Sequence, residues 1–123
     1  MGEILYKNFY ILVDKDKIYK KRRINIMLIY KITNQINNKC YIGQTIKSAE
    51  ERWKEHQAHA FGSHENDQKK TLYKAIRKYG VENFTFEVLQ DGIDNFEDLD
   101  KAEIYWIDFY NSFVKGYNET FGG

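Results

Sequence analysis

The chain has 123 residues, of which 42% are apolar and 16% aromatic, and its net charge is +1. A chain of this length and composition folds as one domain with its own core, which excludes disorder over most of its length. No apolar run reaches the roughly 18 to 20 residues of a membrane helix, and no signal peptide is recognisable at the start. The single cysteine, Cys40, excludes an internal disulfide and cysteine-based metal sites, so a reducing cytoplasm is expected.

Charge divides the sequence near residue 26. Residues 1–26 carry a net charge of +4, whereas the remainder carries −3. The basic run Lys-Lys-Arg-Arg at 20–23 is interpreted as a solvated tail, as an arm that contacts nucleic acid, or as translated leader. We favour leader, because Arg-Arg can be encoded by AGG-AGG, a ribosome-binding sequence, three codons before Met27. We therefore expect 1–26 to be a basic leader, non-native or disordered, and 27–123 to be the catalytic domain.

The first predicted elements form a hairpin followed by a helix. Residues 27–33 are rich in β-branched and aromatic side chains, which predicts a strand. An asparagine-rich turn separates this strand from a second one at 39–45. Ser48 and Glu51 form a capping box, so a helix is expected to begin at about residue 49 and to end near Gly62.

The second half adds two helices and one strand. Apolar residues recur at helical spacing over 71–79, and Gly80 ends that helix. Alternating residues at 84–89 predict a third strand, and Asn95 caps a long last helix. The expected inner face of the last helix consists of Leu99, Ala102, Trp106, Phe109 and Tyr110. The order β-β-α-α-β-α predicts an α+β fold with a small three-stranded sheet flanked by helices.

Several residues are not explained by this pattern. Glu103 lies at the edge of an apolar stripe, where a carboxylate is unfavourable unless it forms a salt bridge or binds a cation. Arg52 and His56 are four residues apart and project from one helical face. They are either a solvated surface pair or a functional pair. Gly43 inside a strand indicates a bulge or a close approach of backbone or ligand.

Taken together, these residues resemble the GIY-YIG nuclease family. The name-giving motif corresponds to Leu-Ile-Tyr at 28–30 and Tyr-Ile-Gly at 41–43, with a leucine in place of the first glycine. The further matches, in order, are Arg52, His56, Glu103 and Asn118. The terminal Gly-Tyr-Asn-Glu-Thr-x-Gly-Gly resembles catalytic domains of phage and intron-encoded homing endonucleases. The resemblance also implies that the three-stranded sheet is antiparallel.

The resemblance implies a DNA endonuclease that uses one Mg²⁺ or Mn²⁺ and leaves 5′-phosphate and 3′-hydroxyl ends. Glu103 would bind the metal, and Arg52 would hold the non-bridging phosphate oxygens. Tyr30 would be the general base on the attacking water, although a free phenol with a pKa near ~10 is a poor base at neutral pH. His56 would take the phenolic proton or orient the ring. Tyr41 would position water or phosphate, and the two tyrosines could exchange roles.

The remaining implied roles concern positioning and substrate binding. Asn118 would orient Glu103 or the substrate, and Gly43 would let the backbone approach the scissile strand. Lys39 would contact a phosphate and His59 would contact DNA. The implied partner is double-stranded DNA, bound weakly because the domain carries few surplus cations. No membrane and no obligate protein partner are expected, and a C-terminal DNA-binding region is expected to be separate or missing.

Two alternatives stay open at this point. One is a nuclease of the same fold that acts on branched DNA in repair or recombination. The other is a non-catalytic module that binds nucleic acid. For each, the expected location is the cytoplasm of a bacterial or phage-infected cell.

Overall fold

A computed structural model describes residues 27–62 and 70–122, together with the backbone of 2–6 and 9–13. The described elements are, in chain order, β1 (Gly2–Tyr6), β2 (Phe9–Val13), β3 (Met27–Asn34), β4 (Cys40–Thr45), α1 (Ala49–Phe61), α2 (Lys70–Tyr79), a 3₁₀ turn (Val81–Asn83), β5 (Phe84–Ile93) and α3 (Phe96–Tyr110). From β3 onward this is the predicted order β-β-α-α-β-α, so the α+β fold is confirmed.

The three-stranded antiparallel sheet has β3 at its centre, in the order β4-β3-β5. In the β3–β4 register, Tyr30 lies opposite Gly43 and Ile32 lies opposite Tyr41. Residues directly opposite each other in antiparallel strands project from the same face of the sheet. The two motif tyrosines and the motif glycine therefore share one face. The β3–β5 pairing shifts between Ile29 and Tyr30, which marks a bulge beside the first motif.

Different helices cover the two faces of the sheet. The face that carries Tyr30 packs against α1 and α2, and its buried core includes Leu28, Ile32, Trp53, Leu72, Ile76, Phe84 and Phe86. The opposite face packs against α3, and its buried core includes Ile29, Ile42, Leu99, Ala102 and Ile107. Each face thus has its own hydrophobic core, and the strand alternation of β3 supplies side chains to both.

The predicted helix caps are confirmed. The Ser48 side chain accepts a hydrogen bond from the Glu51 backbone N–H, and α1 begins at the next residue. Asn95 does the same for the backbone N–H of Asp98 at the start of α3. Such a cap stabilises a helix by about 1 kcal/mol. Gly80 has a φ of +89°, a conformation that favours glycine, immediately after α2.

The predicted inner face of α3 is wrong at one position. Phe109 is 60% exposed, whereas Ile107, which was not predicted, is buried. Leu99 and Ala102 are buried as expected. Phe109 and Ile107 flank the apolar stripe on opposite sides, so periodicity alone does not choose between them. The packing of α3 against β3 and β4 selects the Ile107 side.

The N-terminal segment contains an antiparallel hairpin in which β1 pairs with β2. β2 also lies close to β5. The basic run at 20–23 lies outside the described residues, and the hypothesis that 1–26 is a leader stays a prediction. Within the described part of the chain, every helix is too short or too polar to cross a membrane.

Candidate active site

A buried hydrogen-bond network centres on the Tyr30 hydroxyl. This side chain is fully buried in the central strand, and its Oη atom lies 2.6 Å from Nε2 of His56. Nε of Arg52 donates to the same oxygen at 3.2 Å. Arg52 and His56 lie one turn apart on α1, so a single helical face brings both to the phenol. The structure therefore brings together three of the predicted site residues.

The network extends to α2 through Tyr73, which is not among the predicted site residues. Nδ1 of His56 lies 2.9 Å from the hydroxyl of Tyr73, and both side chains are buried. Tyr73 lies between the buried residues Leu72 and Ala75 on the inner face of α2. A buried phenol usually hydrogen-bonds to a partner, which is the signal that could have found it. With ten tyrosines in the chain, that signal alone does not identify the partner.

A second polar pair holds Arg52 from the solvent side. Glu55 accepts a hydrogen bond from Nη1 of Arg52 at 3.1 Å and also pairs with Lys47. The hydrogen bond from Lys47 is the main cause that lowers the pKa of Glu55. Burial opposes the charge of Arg52, but Tyr30 and Glu55 raise its pKa overall. Arg52 is therefore a permanent cation, and hydrogen bonds from two of its nitrogens fix the orientation of its guanidinium.

Gly43 makes room for the tyrosines. A Cβ atom at this position would overlap the Tyr30 hydroxyl and would lie 2.9 Å from Cε2 of Tyr41. The Tyr30 phenol occupies the space that the missing Gly43 side chain leaves. An approach of the scissile DNA strand to the Gly43 backbone stays a prediction. Tyr41 itself is 8% exposed, and its ring centroid lies 5.7 Å from that of His56.

Both tyrosines favour the neutral phenol. Burial raises the pKa of Tyr30 to about 12, although the charge and hydrogen bond of Arg52 lower it in part. Burial is also the main cause that raises the pKa of Tyr41 well above its usual value. The carboxylate of Glu103 adds to the rise of both pKa values, which shows that its charge lies near both rings. A phenolate is thus unfavourable at either tyrosine. Tyr30 can lose its proton more readily if a neighbouring group accepts it.

Glu103 joins the site from the opposite layer of the fold. It is half-buried on α3, and Gly122 lies beside its carboxylate. One turn earlier on the same helix, Asp100 accepts a hydrogen bond from Gln44 of β4 at 2.9 Å, which ties α3 to the edge strand. Among the described residues, no group of three or more metal-binding side chains occurs. A single carboxylate suits Mg²⁺ or Mn²⁺, which complete their coordination with water and phosphate oxygens, so the donor set fits this kind of metal.

Asn118 connects the C-terminal segment to the edge of the sheet. Its Oδ1 atom accepts from the backbone N–H of Ile42, and its Nδ2 atom donates to the Ile42 carbonyl, each at 2.8 Å. Ile42 lies between Tyr41 and Gly43, so these bonds hold the second motif in place. Asn118 therefore positions β4, and its predicted role in orienting Glu103 or the substrate stays a prediction.

The two weaker candidates lie farther out. Lys39 is exposed in the turn before β4, and no described contact joins it to the Tyr30 network. His59 is half-buried one turn after His56, with its ring centroid 6.2 Å from that of Tyr73. Contacts of Lys39 with phosphate and of His59 with DNA stay predictions.

Comparison with known proteins identifies the class to which this fold and site belong. Residues 26–118 match the GIY-YIG catalytic domain, and the chain belongs to this family. The structure is similar to that of the catalytic domain of the homing endonuclease I-TevI, with 30% identity and a TM-score of 0.66 over 76% of this chain and 98% of that one. A mutant of the catalytic domain of the intron endonuclease I-TevI gives 30% identity and a TM-score of 0.67 over 77% and 94%.

One curated relative is also similar in sequence. It is uncharacterized protein 019R of Invertebrate iridescent virus 6, which is 31% identical over 100 residues. The match covers 79% of this chain and 34% of the relative, so the chain spans about a third of that protein. The family resemblance inferred from the sequence is confirmed by these comparisons.

Proposed function

We propose that this chain is a divalent-metal-dependent DNA endonuclease that hydrolyses phosphodiester bonds. The observation that carries this proposal is the Tyr30 hydroxyl, held between the permanent cation of Arg52 and the ring nitrogen of His56. Such an arrangement supplies a proton acceptor and a phosphate-binding cation within one buried cluster, as hydrolysis of a phosphodiester requires.

In the proposed reaction, Tyr30 passes its proton to Nε2 of His56 as it removes a proton from the attacking water. The water oxygen forms a bond to phosphorus, and the bond from phosphorus to the 3′ oxygen breaks. The 3′ oxygen takes up a proton from solvent, and His56 later releases the one it accepted. Because the pKa of Tyr30 is about 12, this internal transfer avoids a free phenolate in the resting site.

Charge on the phosphate is neutralised from two sides. Arg52 binds the non-bridging oxygens through its guanidinium, which is a planar donor group that stays charged. Glu103 would hold Mg²⁺ or Mn²⁺, which would supply positive charge to stabilise the transition state and the leaving oxygen. Tyr41, which feels the charges of both Arg52 and Glu103, positions water or phosphate, while Asn118 holds the strand that carries it.

Double-stranded DNA is the proposed substrate, and α2 is the surface that supports its binding. This helix carries four basic residues and no acidic one, and it adjoins the site through Tyr73. Lys74, Arg77 and Lys78 are exposed on it. By contrast, α3 carries five acidic residues and one lysine. Phosphate groups are attracted to the first surface and repelled by the second.

The likeness to the I-TevI catalytic domain supports a homing endonuclease of phage or intron type. Because the chain spans about a third of its curated relative, DNA specificity is proposed to lie in a separate region. Cytoplasmic action is proposed because the one cysteine is a free, buried thiol. Comparing cleavage of linear with branched DNA separates the homing type from a repair nuclease.

Plasmid nicking tests the activity itself. Supercoiled plasmid incubated with the chain and Mg²⁺ or Mn²⁺ should become nicked or linear, and EDTA should abolish the conversion. Arg52→Ala should lower the single-turnover rate by at least about 100-fold, because a cation on the transferring phosphate is lost. A parent chain that binds plasmid but leaves it intact with every divalent metal would instead identify a non-catalytic binding module.

A further inference from the structure

We propose that Tyr73 is a positioning residue that sets the tautomer of His56. It keeps the imidazole proton on Nδ1, so that the unprotonated Nε2 can accept the proton of Tyr30. This inference rests on the proposed function, because the protonation state of Nε2 matters only if Tyr30 must lose its proton. It adds a group from α2 to a site otherwise built by β3, β4, α1 and α3.

The hydrogen-bond pattern assigns the tautomer. A guanidinium has donors only, so the Tyr30 oxygen must accept the bond from Arg52. The single hydroxyl proton of Tyr30 is then available for the 2.6 Å contact with Nε2 of His56. Among the described contacts of the fully buried Tyr30 hydroxyl, Nε2 is the acceptor within reach of that proton, so an Nε2–H would leave the phenol proton unpaired. Nε2 is therefore assigned no hydrogen, and in a neutral imidazole the hydrogen lies on Nδ1. Nδ1 faces the hydroxyl of Tyr73 at 2.9 Å, which accepts the bond.

Burial makes this acceptor important. His56 is fully buried and Tyr73 is 3% exposed. Bulk water therefore cannot readily replace the Tyr73 oxygen, and a buried donor without a partner is unfavourable. Since the partner of one ring nitrogen decides which nitrogen carries the proton, loss of the Tyr73 hydroxyl favours protonation at Nε2. Nε2–H would then donate to Tyr30, and the site would lose its proton acceptor.

The test compares Tyr73→Phe with Tyr79→Phe. Both changes remove one hydroxyl from α2, but Tyr79 is only partly buried and has no described bond to His56. Single-turnover plasmid cleavage at saturating metal should slow by about 10- to 100-fold in Tyr73→Phe. The DNA concentration that gives half the maximal rate should stay within about twofold of the parent value. Tyr79→Phe should cleave like the parent. When His56 is already changed to Gln, adding Tyr73→Phe should change the rate less than about twofold.

A direct readout uses ¹⁵N NMR of the three histidines without DNA or metal. The parent should show His56 protonated at Nδ1, and Tyr73→Phe should move the proton toward Nε2. If Tyr73→Phe does not fold, Tyr73→Gln keeps a hydrogen-bond acceptor and should retain the parent tautomer. A parent protonated at Nε2, or a Tyr73→Phe variant with unchanged tautomer and rate, overturns the proposal. Because this spectrum needs no cleavage, an inactive parent would refute the endonuclease function without deciding the tautomer.

Discussion

The two helical layers that enclose the sheet differ in charge and in what they contribute to the site. The layer of α1 and α2 supplies Arg52, His56 and Tyr73, and α2 carries only basic charges. The layer of α3 is acidic and supplies one site residue, Glu103. In the proposed mechanism, proton transfer and phosphate binding thus belong to one layer and metal binding to the other. The edge strand β4, which carries Tyr41 and Gly43, lies where the two meet.

The outer surfaces of the two layers differ as well. On α3, Tyr105 and Phe109 are 58% and 60% exposed and stack on one another among acidic residues. Among the positions 71–79 of α2, the exposed ones are Thr71, Lys74, Arg77 and Lys78. A polyanion is therefore attracted to the α2 side alone, and Glu103 is compatible with a nearby phosphate when a cation lies between them.

The largest expected effect comes from removing the charge that α3 contributes. Glu103→Gln should reduce cleavage by at least about 1,000-fold, because the metal loses its protein carboxylate. Unfolding should be unchanged, since the amide keeps the shape of the side chain. Glu97→Gln, on the same helix but exposed, is the matched control and should cut normally. Plasmid cleavage at several Mg²⁺ concentrations is the measurement, and parental cleavage by Glu103→Gln would contradict the assignment of the metal ligand.

The next effect concerns the strand between the layers. Gly43→Ala should slow cleavage by about 100-fold, because the new methyl group displaces the Tyr30 hydroxyl from Arg52 and His56. The control is Gln44→Ala, whose side chain contacts Asp100 on the other layer. Single-turnover rates and thermal unfolding of both variants are compared. If Gly43→Ala cleaves as fast as Gln44→Ala, the close packing of Gly43 on Tyr30 is not needed for catalysis.

Removing positive charge from α2 should have a smaller effect. It should weaken DNA binding and leave the rate of the chemical step unchanged. Replacing Lys74 and Lys78 with Ala should weaken DNA binding by about tenfold and lower the slope of log affinity against log salt by about 1 to 2. Lys101→Ala removes a lysine from the acidic layer, where it pairs with Glu97, and should leave that slope unchanged. Fluorescence anisotropy with duplex DNA from 50 to about 300 mM salt measures both. Equal slopes in the two variants would show that DNA does not contact α2.

The smallest effect is on stability at alkaline pH. The pKa of Tyr30 is about 12 in the folded chain and near ~10 when unfolded, so ionisation favours unfolding. Stability should be intact below pH ~10 and fall toward pH ~12, with a loss on the order of 1 kcal/mol at pH ~11 from this residue. Tyr41, with its raised pKa, acts in the same direction. Urea unfolding at several pH values should show a weaker decline in Tyr30→Phe, and an unaltered decline would mean that Tyr30 is not the cause.

Local patterns explain why most of the fold could be predicted. The capping residues Ser48 and Asn95 act on N–H groups three residues away, so sequence spacing alone reveals them. Arg52 and His56 share a helical face for the same reason. Residue content located β3 and alternation located β5, although β5 extends to Ile93, beyond the predicted end at residue 89. The strands β1 and β2 were not predicted.

The sequence by itself determined the order of elements from β3 onward, the helix caps and the family to which the site residues belong, because these depend on spacing over a few residues and on a recognisable motif. Only the tertiary structure decided that Tyr73 contacts His56 and that Asn118 holds Ile42, pairs that are 17 and 76 residues apart. It also decided that Gly43 accommodates Tyr30 and that Ile107, not Phe109, is buried. The physical reason is that such contacts depend on how whole elements pack against each other, which no local periodicity encodes.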